Sequence, residues 1–380
     1  MIDHNFILSQ MRFALSLLQQ TAKPGMNVLI APFSAAQALG MAANGAEGST
    51  LQEIETVLGG SREFLANTFQ KIRIAKTEVS NYYDGETAKL FTANSAWVRD
   101  RYPVLEVFLE KSRTDYDTEV FSAPFDQSTV NAINRWISEK TKHMIPSILH
   151  EISDVDMLYL LNTIMFDAQW CFPYDEDDIE ANTFTENDGT KQIVKMMFGS
   201  GDSYLADEHA EGFSLLYQGF RYAFSALLPE EGMTPEEYLA GLTAERLYQT
   251  LSTPIHYKGD VISGLPQFRQ EYSALLRKSL TSMGIKSAFD HSIADFSGIT
   301  DSAEGLFLGD ILQKTFLEVT PKGTRAGAVT CIVAVAGCIT DPTPSKEIIL
   351  NRPFMYMIED KLTHLPVFFG IMNSLPDITK

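Results

Sequence analysis

The side chains of this 380-residue chain most able to ligate a metal or attack a substrate are three cysteines, seven histidines and one run of four acids. A nucleophilic thiolate needs a cationic or otherwise activating neighbour, and a metal centre needs ligands at short, regular spacing. His4, His143, His150, His209, His256, His291 and His364 stand singly. Cys171 follows Trp170 in an aromatic stretch and reads as a buried, inert thiol. Asp175, Glu176, Asp177 and Asp178 lack the alternating ligands and central glycine of a calcium loop, and read as a solvated turn. No G-x-S-x-G, phosphate-binding G-x-x-x-x-G-K, G-x-G-x-x-G or H-E-x-x-H occurs. The residues therefore nominate no catalytic group, no metal and no cofactor.

The stretch that asks for an explanation carries no reactive group at all. Residues 326–340 are uncharged and lie between two loop-like sequences, Thr320-Pro321-Lys322 and Asp341-Pro342-Thr343-Pro344. Alternate positions Thr324, Ala326, Ala328, Thr330, Ile332, Ala334 and Ala336 form one small, apolar face, as a strand between close neighbours requires. A central strand is the plain reading. Yet the run is longer than the usual strand of roughly 3–10 residues, and Gly323 and Gly327 loosen its start. A loop already patterned as a strand points to a segment that exchanges between the two states. Cys331 and Cys338 within it are expected as free thiols.

The frame that must hold such a segment is legible in outline. With 30 Lys and Arg against 49 Asp and Glu, the net charge of −19 argues against nucleic acid and against an anionic membrane surface. At 45% apolar residues the chain can bury a large core, and three cysteines are too few to staple it. The uncharged run 24–46 is broken by prolines and glycines, so it reads as core strand plus core helix. Ile7, Met11, Ala14 and Leu18 share a helical face, as do Val130, Ile133 and Ile137. Thr50-Leu51-Gln52-Glu53 fits a capping box, with Gly59-Gly60 as the stop. Residues 157–166 read as a strand covered on both faces, 213–228 as an apolar run ending at a turn, and 354–372 as a buried hairpin. Helices lie early and strands late without regular alternation, which predicts an α+β fold with largely antiparallel sheets, and the length suggests two or three domains while allowing one large one. The opening MIDHNFILSQ has no leader pattern, leaving a cytoplasmic protein or one whose leader is absent from this chain.

From about residue 5 to 375 the sequence resembles the serpins. Gly323-Thr324 and Ala326-Gly327-Ala328 resemble the proximal hinge of inhibitory members, and residues 313–319 the strand leading into it. Asn351-Arg352-Pro353-Phe354, Phe368-Phe369-Gly370, residues 294–299, Leu265-Pro266-Gln267-Phe268, residues 94–98 and residues 130–141 fall in the family's order. The resemblance implies a single domain, 1–380, with three β-sheets, about nine helices and a metastable reactive-centre loop at about 321–346. It implies a monomer that acts not as an enzyme but as a suicide inhibitor of a serine protease, or of a cysteine protease. The target would attack the loop, form an acyl-enzyme, and be trapped as the loop inserts into the central sheet.

Residues carried over from the family are Asn27, Ser34, Asn162, Trp170 and Gln313, at the shutter and breach of that sheet. Three departures bear on the insertion barrier. Ala31 replaces a shutter serine, Gln313 a shutter histidine, and Pro321-Lys322 an acidic pair. Counted from Gly323 the scissile bond falls near Gly337-Cys338, and counted back from Asn351 near Pro342, because the loop is several residues long for the family. Insertion length fixes where the protease ends up, so the hinge-side count governs, giving the window Ala336, Gly337, Cys338, Ile339. Small residues there fit an elastase-like target, secreted or at the cell surface if the protease is foreign. The alternatives are a non-inhibitory carrier or chaperone-like serpin, for which Arg325 leaves some room, and an enzyme with a cysteine nucleophile.

Overall fold

The protein was described from a computed structural model covering residues 2–82, 88–143, 145–153, 155–302, 305–324 and 345–375. Helix α1 (His4–Thr21) starts where Asp3 accepts the Asn5 amide and buries Ile7, Met11, Ala14 and Leu18. The uncharged run becomes β1 (Val28–Ile30) and α2 (Pro32–Gly45), a helix buried on every side. Its first turn tolerates Pro32, which has no amide to leave unpaired.

Helix α3 (Gly48–Leu58) corrects one expectation. It begins at Gly48, and Thr50 and Glu53 do not cap it. The Thr50 hydroxyl accepts the Asp295 amide, and the Glu53 carboxylate accepts the amides of Lys286 and Ser287, both at 2.7 Å. The pair thus fastens a distant segment. Gly59 ends the helix in the left-handed region, at φ 77°, as expected.

The chain continues through α4 (Arg62–Tyr82), β2 (Lys89–Arg99), α5 (Glu106–Tyr116), β3 (Thr118–Ala123), α6 (Gln127–Lys140) and β4 (Leu158–Gln169). Every residue of β4 is buried except the half-buried Asp167. Next come β5 (Ile179–Thr185), β6 (Lys191–Ser200), β7 (Ser203–Ala206), β8 (Ala210–Leu216) and β9 (Tyr222–Pro229). The apolar run 213–228 is therefore two strands of a hairpin, split by a turn in which Gly219 takes φ 84°. The remainder is α7 (Pro235–Gly241), α8 (Ala244–Ser252), β10 (Val261–Pro266), β11 (Phe268–Leu275), α9 (Arg277–Met283), β12 (Leu308–Thr320), β13 (Gly323–Thr324), β14 (Lys346–Ile349), β15 (Phe354–Asp360) and β16 (Leu365–Met372).

Among the described residues the strands form three sheets. The central sheet runs β11-β12-β13-β4-β2-β3, the second β1-β16-β15-β9-β8-β7 and the third β14-β10-β6-β5. The fold is α+β with largely antiparallel sheets, as expected, and β2–β3, β4–β12 and β10–β14 pair in parallel. The inner face of the central sheet packs through Ile164, Phe166, Leu317 and Val319 onto Tyr217, Phe224, Tyr356 and Phe368. Helix α6 covers the outer face through Ile133, Trp136 and Ile137 against Trp97, Tyr159 and Leu312.

The β15–β16 turn is tied to the β8–β9 turn by a buried ion pair, Arg221 Nη2 to Asp360 Oδ2 at 2.7 Å, with side-chain exposures of 9% and 4%. Removing one partner strands the other charge in the interior. Asp360→Ala is expected to destabilise the protein by about 3–5 kcal/mol, read as a lowered urea midpoint. A change within the error of wild type would show the pair to be solvated in solution.

Candidate functional site at the fork of the central sheet

Strands β4 and β12 lie side by side in parallel from Leu158 and Leu308 up to the pair Thr163 and Lys314. Above that point they part. At the top, β13 stands between them, antiparallel to both: Thr324 pairs with Val319 and Ala168, and Gly323 with Thr320 and Gln169. The sheet is thus a fork, closed below and wedged open above by the first two residues of the unusual segment.

The wedge is held by specific groups. Gly323 takes φ 151°, and a Cβ there would run into the Ala168 carbonyl, so only glycine fits. Thr324 is fully buried, and its hydroxyl shares a short hydrogen bond with the Tyr217 hydroxyl. Tyr217 stacks on Trp170 with ring centroids 4.4 Å apart. The Trp170 indole in turn donates to the Thr320 carbonyl at 2.9 Å. The amides of Trp170 and Tyr174 donate to the carbonyls of Lys322 and Pro321, and the Thr320 hydroxyl to that of Gly323. Among the described residues Lys322 makes no ion pair, so the top of the sheet is restrained by backbone and aromatic groups rather than by charge.

The closed end has its own clamp. The Gln313 side-chain amide donates to the Ala31 carbonyl and accepts the Ala31 amide, both at 2.9 Å, joining β12 to the start of α2. Thr315 donates to the Leu29 carbonyl at 2.8 Å. Across the ladder from Gln313, Asn162 donates to the side-chain oxygen of Asn94, and Asn94 to the Tyr116 carbonyl. Ser34 Oγ, Asn162 Oδ1 and Thr163 Oγ1 are buried without a hydrogen-bond partner. Such orphaned groups raise the energy of the closed sheet.

Of the residues nominated from sequence, the structure brings Gln313 and Asn162 together at the closed end, with Ser34 in the adjoining α2, and sets Trp170 at the open end. Asn27 belongs to neither. Its side chain accepts the amides of Asn373 and Ser374 and donates to the Ser374 carbonyl, fastening the end of β16. Gly323 and Thr324 are in the fork, whereas Ala326, Gly327, Ala328, Ala336, Gly337, Cys338 and Ile339 lie outside the described residues. Tyr217, which receives the hinge side chain, escaped sequence reasoning. Its only signal is a polar tip within an apolar run.

Nothing here favours a nucleophile. Cys171 donates to the Tyr217 carbonyl at 3.2 Å, and burial, helped by the charge of Asp202, pushes its thiol up to about 11. Among the described residues no group of three or more His, Cys, Asp and Glu is placed to hold a metal. No described helix is long and apolar enough to cross a membrane.

A mixed central sheet whose two long inner strands pair directly below and are parted above by Gly323 and Thr324 defines the class of fold. The sequence profile of the family described as Serpin (serine protease inhibitor) matches residues 8–375. Human Serpin B4 is 29% identical, with 96% of this chain and 97% of that one aligned. An uncharacterised serpin-like protein of Thermococcus kodakarensis is 30% identical over 96% of this chain and 84% of its own. The thermophilic serpin tengpin in its native state superposes with a TM-score of 0.89 at 35% identity, covering 99% and 95% of the two chains. Against its latent state the TM-score is 0.83. The chain belongs to the serpin family, whose members are generally protease inhibitors that act by loop insertion.

Gln313→Ala would leave the buried Ala31 amide unpaired and the Ala31 carbonyl with the Ala35 amide alone, at a cost of about 1–3 kcal/mol for the orphaned amide. A lower thermal midpoint is expected. Gln313→His, keeping one ring nitrogen for Ala31, should recover part of the loss. Equal midpoints for all three proteins would remove the clamp from the account.

Proposed function

We propose that this protein is a suicide inhibitor of an elastase-like serine protease, trapping it by inserting residues from Thr324 onward between β4 and β12. The observation that carries this is the seating of Gly323 and Thr324 in the fork. Continued in the same antiparallel register, Ala326 falls between Leu317 and Phe166, and Ala328 between Thr315 and Ile164. These neighbours are buried, and Leu317, Phe166 and Ile164 are bulky, so alanine is the size that fits between them. From Val329 onward each residue must displace one rung of the direct β4–β12 ladder. Every rung lost is replaced by pairing on two sides, worth about 1 kcal/mol net for each new hydrogen bond.

Arg325, the feature that leaves room for a non-inhibitory carrier, falls in this register between Glu318 and Asp167, both half-buried on the outer face. There its charge is matched. Such a carrier exists on the same fold: a structure of human thyroxine-binding globulin with its hormone superposes with a TM-score of 0.84 at 25% identity. The hinge sequence here favours insertion instead.

In this reading the reactive loop is about 321–346 of a single domain, and cleavage falls in the window Ala336 to Ile339. The small residues there suit the narrow pocket of an elastase, with a cysteine protease of like preference as a second target. The protein is a monomer that works once, outside the cell or at its surface. A member acting on endogenous proteases would serve in the cytoplasm.

Incubation with elastase-, trypsin- and chymotrypsin-like proteases, read on denaturing gels with mass spectrometry, tests the reading. The expected result is a denaturation-resistant complex with elastase alone and a released peptide beginning at 337–340. Cleavage at Asp341, or clean cleavage with no complex, would overturn it. Thr324→Arg places a charge against Tyr217 in the sheet interior and should convert the inhibitor into a substrate, lowering the trapped fraction at least tenfold.

A further inference from the structure

Behind the hinge lies a cleft of about 450 Å³ that the inhibitory mechanism does not use. Four aromatic rings, Trp170, Phe172, Tyr174 and Phe198, share its lining with two carboxylates, Asp178 and Asp202. Its size lies in the range of small-molecule sites, roughly 300–1,000 Å³. Its chemistry is one-sided. Asp202 accepts the Leu216 amide at 2.6 Å through one oxygen, and among the described residues no cation pairs with it or with Asp178. Asp202 opens to the cleft, yet the protein packed around it partly desolvates the carboxylate and raises its pKa. Asp178 closes a turn in which Asp175, Glu176 and Asp177 are also exposed, so the rim is negative as well. Phe172 is 57% exposed, an expensive placement for a ring with nothing against it. The Tyr174 ring is half-buried at the cleft wall, with its hydroxyl directed inward beside Ser263, which donates to the Gly199 carbonyl. Aromatic faces beside uncompensated carboxylates are the chemistry that binds an organic ammonium ion.

We propose that this cleft binds a small organic amine, a protonated ammonium carried on an aromatic or short alkyl body, and that its occupancy steadies the hinge. The ammonium pairs with Asp202, and the apolar body lies against Phe172 and Tyr174. The link to the hinge is direct. Trp170 and Tyr174 line the cleft, and their amides hold the carbonyls of Lys322 and Pro321. The Trp170 ring also backs Tyr217, which bonds Thr324. A ligand that fixes the segment from Trp170 to Tyr174 thereby fixes the turn that leads into β13. The coupling to inhibition rests on the function proposed above, whereas the binding and the steadying of the turn do not.

The test needs no protease. Phenethylamine is titrated into the full chain by calorimetry, with 2-phenylethanol as the neutral analogue of the same shape. Backbone hydrogen exchange of peptides covering 316–324 is followed with and without the amine. Saturable binding of the amine, at least tenfold weaker binding of the alcohol, and slowed exchange at 316–324 are expected. Asp202→Asn keeps an oxygen for the Leu216 amide and should weaken the amine at least tenfold while leaving the fold intact by circular dichroism. Should that variant fold poorly, Asp178→Asn gives an independent reading, with a several-fold loss expected. Equal binding of amine and alcohol, or unchanged affinity in the folded variant, would overturn the site. Binding without slowed exchange at 316–324 would overturn the steadying of the turn.

Discussion

One strand position, part-filled, governs this molecule. Between β4 and β12 the central sheet has room for a further strand at its top and none at its base, and the pair Thr163 and Lys314 marks the boundary. Both flanking strands are long and buried, and both are anchored on their far sides, β4 by β2 and β12 by β11. The opening therefore cannot close by fraying. Its upper end is held by Tyr217, Trp170 and the carbonyls of the turn, its lower end by Gln313 on Ala31. The first set engages one inserted residue and a short turn. The second engages the core helix. The two ends thus differ in kind: one holds the start of the loop, the other keeps the sheet from parting early.

The departures from the usual family residues are of the same sort. Gln313 replaces a ring by an amide that can both donate and accept, and it uses both functions on a single backbone residue. That dual bond offsets the hydroxyl lost at Ala31. At the top of the sheet, where the resemblance implies acidic groups, this chain has Pro321 and Lys322, and hydrogen bonds that carry no formal charge hold the turn. Such bonds respond little to salt, so the restraint on the hinge should be insensitive to ionic strength.

How much of the fold and of the fork is legible in the sequence depends on how far each residue's partner lies along the chain. Helix α1, helix α6 and the β15–β16 hairpin come from periodicity, because their signals repeat within a few residues. The inward direction of Thr324 comes from alternation alone. Thr50 and Glu53 mislead for the opposite reason: they carry a local motif, but their partners are Asp295, Lys286 and Ser287, more than 230 positions away. Residues 213–228 read as one run because Phe220 sits in the turn and disguises it as strand. Tyr217 could not be singled out, since its role depends on a hydroxyl meeting Thr324 across 107 residues. Asn27 is nominated by resemblance, and its hydrogen bonds go to the other end of the chain.

The seating of Gly323 and Thr324 also bears on kinetics. Starting a new strand is the costly step of sheet growth, because chain ends must be brought together before any pairing rewards them. Here that closure has been made during folding. In the proposed mechanism further insertion would resemble elongation rather than nucleation, with each added residue extending an existing register. Loop-closure cost grows only slowly with length, so under the function proposed above a loop several residues longer should change the onset of insertion little.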